Sequence, residues 1–527
     1  MTQQLLQLDQ VSFNLPDGRV LFDHLDHTFS TGATGIVGAN GCGKSLLGRL
    51  LTGEQPPTNG IVRREGQIYA VAQLLEPVRY PSIAALAGVE PVLAALERIA
   101  QGSIDDDDHA LAVDQWDCAA RLHAELEKIG LGHLNADSRT DTLSGGERQR
   151  VALLGAWLSR ADWLILDEPS NHLDIEQQHK LAQQIDRWPN GLVLISHDRG
   201  LLEHVNEIVE LSPLGLAAYG GDYSQYAAAR EQEQQAFQSA LQGERAQAKR
   251  EQRERVVQME RQQRRNARGD RQARDGNQTK LITNAQKERS EISQGKLRLN
   301  QQVAREQQQQ RIADAWARCA PQIQRMMLSP ESMVANGKLI LQLNDVVLPF
   351  GHAAPINMTL TGPMRMAIMG ANGSGKSTLL QVIAGQLPVP EGELIRSCQV
   401  GWLDQHAGLQ YPERTAVQWL YESNPQLPEG EARTRLAQMG IDADRAMLKT
   451  SQLSGGERLK IALAVQLYAQ RPPQLLLLDE PDNHLDLPSR IALEQMLNQY
   501  QGALIVVSHD SAFLQAIHLD AEFHLSN

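Results

Sequence analysis

Short apolar runs of four or five residues recur along the chain, bounded by turn formers, and read as buried strands. Thr34–Val37, Ile68–Ala72, Trp163–Leu166 and Leu192–Ile195 are such runs in the first part, and Leu475–Leu478 is another near the end. Ahead of them, Leu5–Phe29 alternates apolar and polar residues around Pro16-Asp17-Gly18, as a hairpin or small antiparallel sheet does. Residues 82–130 read as helical, interrupted at Asp105–Asp108. That acidic run predicts a solvated loop, because consecutive aspartates point in different directions. Between residues 214 and 320 the pattern changes. No proline occurs there, good helix formers dominate and the apolar periodicity is weak (Phe237 with Leu241, Val256 with Met259), so long helices lying largely in solvent are expected. Gly269 and Gly276, beside Asp270, Asp275 and Asn277, put a reversal near 266–284. The result is a projecting hairpin with an arm of about 60 Å.

Charge follows the same division. The chain of 527 residues carries a net −13, yet Arg230 to Arg325 holds 21 basic and 12 acidic residues, leaving −22 on the rest. Such a balance argues against a general nucleic-acid coat and confines any RNA contact to the helical stretch. Seven cations, Arg261, Arg264, Arg265, Arg268, Arg271, Arg274 and Lys280, concentrate near its expected tip against Asp270 and Asp275 alone. They suit phosphate contacts better than base reading. Met1–Gln10 is polar and no run approaches the roughly 18 apolar residues of a membrane span, so a soluble cytoplasmic protein is expected. Cys42, Cys118, Cys319 and Cys398 are scattered, without the spacing of a zinc site, an iron–sulfur cluster or a disulfide framework.

The candidate chemistry begins at Gly38-Ala39-Asn40-Gly41-Cys42-Gly43-Lys44-Ser45, which fits G-x-x-x-x-G-K-[ST] after a strand. Glycines let backbone N–H groups curl around phosphate, Lys44 reaches the terminal phosphates and Ser45 supplies an oxygen to Mg²⁺. Gln73, at a strand end, is placed to touch the metal or the attacking water. Leu143-Ser144-Gly145-Gly146-Glu147-Arg148 has the S-x-x-E spacing of a capping box, so a helix with exposed amides at its start should run from here through Trp157. Trp163–Leu166 ends in Asp167-Glu168-Pro169, a buried strand delivering two carboxylates. Asp167 suits Mg²⁺, and Glu168 suits the orientation or deprotonation of a hydrolytic water. His197, at the end of the next strand, is either structural or a γ-phosphate contact. Phe13 is either a core aromatic or a ring that stacks on adenine.

Every one of these elements except Phe13 recurs in order: Gly370-Ala371-Asn372-Gly373-Ser374-Gly375-Lys376-Ser377-Thr378, Gln405, Leu453-Ser454-Gly455-Gly456-Glu457, Asp479-Glu480-Pro481 and Ser508-His509-Asp510. The offset is 332 at the glycine loop and the glutamine, 310 at the octet, and 312 at the acidic pair and the histidine. Coincidence is excluded, and the change of 22 places an insertion between Gln73 and Leu143. The repeat also exposes two asymmetries. Leu46 stands where the second copy has Thr378, and Phe350 is the nearest second-half aromatic to the position of Phe13.

Taken together, these residues resemble the ATP-binding cassette superfamily, with its phosphate loop, Gln loop, LSGGE signature, LDEP strand, D-loop and switch histidine, present twice. The resemblance implies an α/β fold: two P-loop cassettes, each with a small antiparallel β subdomain and a helical signature subdomain, joined by a long α-helical hairpin linker. Boundaries fall at 1–222, 223–333 and 334–527. It also implies an ATP hydrolase using Mg²⁺. The cassettes of such a monomer pair head to tail, Lys44 working opposite Ser454 and Gly456 and Lys376 opposite Ser144 and Gly146. Tandem cassettes with the DEPSNHLD and DEPDNHLD variants and a charged linker look like the ABC-F subfamily. Those proteins bind the ribosome near its tRNA exit site and direct the linker towards peptidyl-tRNA.

Three readings therefore compete. A ribosome-binding translation factor, housekeeping or antibiotic-protecting, uses both the paired cassettes and the basic arm. The motor half of a membrane transporter has no use for such an arm. A DNA-repair or chromosome ATPase would carry a coiled coil inside one cassette or zinc-binding cysteines, and neither is present.

Overall fold

The computed structural model describes residues 5–171, 173–236, 332–404, 412–483 and 485–525, with Ser239, Gly243, Arg250, Arg253, Val257 and Arg261 between them. Two compact units are formed, Met1–Tyr226 with Gln322–Asn527, and Ala227–Pro321. The first contains both cassettes.

In the first cassette a six-stranded sheet has the order Ile68–Val71, Trp163–Asp167, Gly191–Ile195, Ala33–Gly38, Glu207–Ser212, Gly215–Gly220. All neighbours are parallel except the last pair. The apolar runs are central strands buried on both faces: Trp163–Asp167 and Gly191–Ile195 are buried throughout, as continuous hydrophobic strands of a covered parallel sheet should be. A second, antiparallel sheet sets Leu5–Asn14 between Val20–Phe29 and Asn59–Glu65. The second cassette repeats both layers. Its parallel sheet has five strands, Val400–Leu403, Leu475–Asp479, Ala503–Val507, Arg365–Met369 and Ala521–His524, and its antiparallel sheet sets Leu339–Val347 between Ile356–Thr361 and Glu391–Arg396.

The 22-residue insertion is a pair of helices. Ser82 caps Ile83–Leu86 and bridges to Arg139, as Thr415 caps Ala416–Ser423 and bridges to Lys449. Between those matched points the first cassette carries Glu90–Ala100 and Asp106–Ala112 ahead of Cys118–Lys128. Among the described residues the second goes directly to Glu429–Gln438. Asp105–Asp108 is therefore not a solvated loop. Asp105 caps the second inserted helix by accepting from Asp107 N, and Asp108 is buried, accepting from Arg98 at 2.9 and 3.1 Å and from Ser103 at 2.7 Å. Helical rotation turned one aspartate of the four inward, where a guanidinium met it.

The chain is helical over 223–236 and at the isolated described positions beyond. The expected tip at 266–284, with Arg264, Arg265, Arg268, Arg271, Arg274 and Lys280, lies outside the described residues. Arg261 is described and exposed. No helix among the described residues is long and apolar enough to cross a membrane.

Candidate active site

The parallel strands of the first cassette end together, with Asp167 opposite Ile195 and Ile195 opposite Ile36. Loops leaving that edge carry the candidate residues, where an open α/β sheet places its ligands. Gly43 caps the helix Lys44–Thr52 in the left-handed conformation, at φ 100°. A Cβ there would stand 2.6 Å from the Phe22 ring, so no other residue closes this turn. Lys44 Nζ donates to the carbonyls of Gly38 (2.9 Å) and Ala39 (3.1 Å), which holds the ammonium inside the loop's mouth. Lys376 does the same to Gly370 (2.7 Å) and Ala371 (3.0 Å), beneath a helix capped by Gly375 at φ 97°. Burial lowers the affinity of Lys376 for its proton, and Glu480, Asp174 and Asp479 oppose that.

Around the first loop lies a cavity of about 710 Å³, lined by Asn40, Gly41, Gly43, Lys44, Ser45, Leu46, Gln73, Asp167, Glu168, His197 and Phe13. Its size suits a nucleotide. Phe13 is 9% exposed and belongs to a core cluster, yet it edges the cavity beside Leu15, Pro16 and Leu21, which sequence reading did not assign to the site. Gly38 and Cys42 stand behind the wall: the Cys42 Sγ faces Gly38, and burial pushes that thiol up. In the second half Phe350 is 69% exposed, with its carbonyl against Gly375.

Each acidic pair repeats the same geometry. Asp167 and Asp479 are pushed up by burial and drawn back by Ser45 and Ser377 respectively; Ser377 Oγ donates to Asp479 at 3.2 Å. Asp167 Oδ1 is buried without a hydrogen-bond partner. A buried carboxylate oxygen left over beside a serine hydroxyl fits an Mg²⁺ site. Among the described residues no three His, Cys, Asp or Glu side chains gather to hold a metal, so Ser45, Asp167 and Gln73 would share the ion with phosphate oxygens and water, the usual habit of magnesium. Gln405 lies outside the described residues; Ser377 and Asp479 would act likewise in the second site.

Glu168 and Glu480 each adopt a left-handed backbone, at φ 50° and 48°, unusual for a residue with a long side chain. The turn is pinned from across the sheet, Glu168 N donating to Ile195 O at 2.8 Å and Glu480 N to Val507 O at 2.9 Å. The same left-handed turn in both copies fixes each glutamate directly after its aspartate at the edge of the sheet. Burial first, then the neighbouring Asp167 charge, pushes the Glu168 carboxyl up to about 8, and the Lys44 ammonium opposes that rise. Glu480 is raised for the same reasons, with an Asn483 amide hydrogen bond opposing. His197 Nε2 stands 3.6 Å from Glu168 and His509 Nε2 3.8 Å from Glu480. Burial, with Lys44 and Arg490 nearby, lowers His197 to about 3; burial and Lys376 lower His509 to about 4, so both imidazoles are neutral at pH 7.

The LSGGE segments form as expected. Ser144 and Ser454 cap Gly145–Leu158 and Gly455–Leu467 with complete capping boxes to Glu147 and Glu457. Gly146 and Gly456 sit in the opening turns. None of Ser144, Gly145, Gly146, Ser454, Gly455 or Gly456 lines the cavity. The second cassette contributes instead Asp482, Asn483, Leu485, Arg490, His509 and Asp510. Asp486 accepts from the amide of Asn40 at 2.7 Å, and Leu487 enters the core cluster of the first cassette. Sequence reading named His509 and the Asn483–Asp486 segment but placed them in the second site; their reach into the first, and the part played by Asp482 and Arg490, were missed because sequence gives no distance between the two copies.

A model of the ABC transporter family matches residues 22–171 and 353–483. Over 522 residues the chain is 30% identical to Probable ATP-binding protein YheS of Escherichia coli K12, covering 94% of this chain and 75% of that one. It is 28% identical over 521 residues to Ribosome protection protein VmlR of Bacillus subtilis, covering 97% and 85%. The same fold occurs in the archaeal ribosome recycling factor aABCE1, solved with the stalk protein aP1, at a TM-score of 0.56 and 18% identity over 96% of this chain and 86% of that one. Two matched cassettes, their paired loops and these relatives make the chain a member of the ABC family, in its ABC-F branch, and an ATP hydrolase that uses ATP with Mg²⁺.

Proposed function

We propose that this ATPase binds the ribosome in its ATP-closed state and acts as a translation factor. ATP draws the cassettes together, the linker at 223–333 lies against ribosomal RNA or a peptidyl-tRNA near the tRNA exit site, and hydrolysis releases it. One observation carries this reading: two cassettes already in contact through Asn40 and Asp486 share a chain whose cationic excess is confined to the segment between them. The likeness to VmlR, a ribosome protection protein, supports it, and ribosome protection conferring antibiotic resistance is the second reading.

Within each site Lys44 or Lys376 holds the terminal phosphates. Glu168 or Glu480 takes the proton of the attacking water, and His197 or His509 orients the γ-phosphate. The neutral imidazole donates one N–H without adding a charge that would hold the product. Magnesium, when bound, neutralises charge on the transferring phosphoryl group. Ser144, Gly145 and Gly146 close over the nucleotide at the second phosphate loop, and Ser454, Gly455 and Gly456 over that at the first. Phe13 walls the adenine side.

The test is sedimentation of the Glu168→Gln/Glu480→Gln double variant with ribosomes. ATP should carry it into the ribosomal pellet, ADP should not, and retention should fall steeply as salt rises, since the contacts are to phosphate. Failure to pellet with ATP at low salt would remove the ribosome from the account.

A further inference from the structure

Where the cassettes meet, a buried charge cluster links the two sites. Arg490, 7% exposed, lies in the helix Leu487–Gln499 of the second cassette. Its Nη1 donates to the His197 carbonyl at 3.1 Å and to the Asp510 carboxylate, and its Nη2 to the Asp482 carbonyl at 3.2 Å. One guanidinium thus reaches the first site's histidine, the residue after the second site's histidine and the chain beyond the second acidic pair. A turn later Glu494 pairs with Arg199 of the first cassette at 2.9 Å, and Arg199 lies 5.8 Å from the Tyr223 ring.

The repeat shows that this linkage is one-sided. At the offset of 312, Arg490 is matched by Gln178, Glu494 by Ala182, and Arg199 by Ser511, while His197 with His509 and Asp198 with Asp510 match in kind. Gln178 Nε2 donates to Leu173 within its own cassette, at 3.3 Å. Among the described residues the first half shows no reciprocal guanidinium bridge at that position.

We propose that Arg490 is a positioning residue that couples the two ATP sites, tying the His197 loop of the first to Asp510 beside His509 of the second. A planar guanidinium spreads five donors over a rigid fork and can hold three acceptors in three loops; glutamine has two donors, and lysine's three converge on one nitrogen. Opening the cassettes breaks the bond to His197 and spares those to Asp510 and Asp482, which lie in the same cassette as Arg490. The bridge accordingly registers closure, and does so from one side. This inference rests on reading Glu168 and Glu480 as the catalytic carboxylates.

The experiment blocks one site at a time and measures ATP turnover in the other. With Arg490 present, Glu168→Gln or Glu480→Gln should shift the remaining site at least about fivefold from half the wild-type rate, the low end of ordinary coupling, and ATP should act cooperatively. In Arg490→Gln each blocked variant should retain half of its parent's rate, within about twofold, and the Hill coefficient should fall to one. Arg490→Lys, which keeps the charge without the fork, should also lose cooperativity while keeping the wild-type melting temperature. It decides the matter should Arg490→Gln fail to fold. Wild-type cooperativity in Arg490→Lys would overturn the proposal. The Glu168→Gln/Glu480→Gln double variant must lose roughly 10²-fold or more of the wild-type ATP turnover. A loss smaller than about tenfold there would overturn the carboxylate assignment instead, and the Hill coefficient for ATP binding to Arg490→Lys would still judge the bridge.

Discussion

The two cassettes share strand order, phosphate-loop geometry, capping boxes and the strained glutamate turn, and they differ where they touch each other. The shared features are those that any site for a nucleotide phosphate and its metal requires. The differences concern an interface that a symmetric pair would build from one set of residues, used twice. Here Arg490 and Glu494 on one side face His197 and Arg199 on the other, while Gln178 and Ala182 occupy the matching places. A tandem chain frees each copy to specialise, and this one has kept its chemistry doubled and made its coupling single.

The largest effect should come from the carboxylates. The Glu168→Gln/Glu480→Gln pair should lower hydrolysis by roughly 10²-fold or more, the usual worth of a positioned general base, with ATP still bound. Phosphate release, measured on each single variant, then shows whether the sites are equal. Comparable rates in both would break the functional side of the comparison, leaving the asymmetry to architecture alone.

A smaller effect is expected where Leu46 faces the first cavity and Thr378 occupies the matching place. Thr378→Leu should weaken ATP at the second site about fivefold, the worth of about 1 kcal/mol for one hydrogen bond, and Leu46→Thr should tighten the first by no more than that. Titration of ATP against each variant with the other site blocked checks both. No change from Thr378→Leu would mean that the hydroxyl touches no phosphate.

Much of this was legible in the sequence, for a physical reason. Buried parallel strands must be continuous apolar runs, so Trp163–Asp167 and Gly191–Ile195 announced themselves, and glycine loops and capping boxes depend on fixed local spacing. Repetition converted weak motifs into strong ones. What the sequence hid was orientation and distance. Asp105–Asp108 looks equally acidic whether it is a loop or a helix start, and only the turn of the helix carried Asp108 to Arg98. Arg490 resembles any helix-borne arginine until the other cassette is brought against it.

The smallest effect tests one carboxylate of that interface. Asp482 is buried, with Ser170 at the matching place in the first cassette. Burial pushes its carboxyl up to about 7, Asp510 adding to the rise while Arg490 and a Ser508 hydrogen bond oppose it. The sign follows from linkage. Below the ordinary carboxylate range both folded and unfolded chains hold the proton, and burial costs nothing extra. Between about pH 4 and 7 the unfolded chain releases the proton while the folded chain retains it, so stability falls as pH rises, and above 7 the loss is complete. Asp482→Asn imitates the protonated form and keeps the carbonyl that receives Arg490. Its melting temperature should exceed that of the wild type by roughly 2–4 °C at pH 8, and the gap should close towards pH 5. Calorimetry at the two pH values reads the difference directly. A gap independent of pH would mean that Asp482 is ionised inside the fold, with Arg490 compensating it fully, and the interface would then hold its charges in balance.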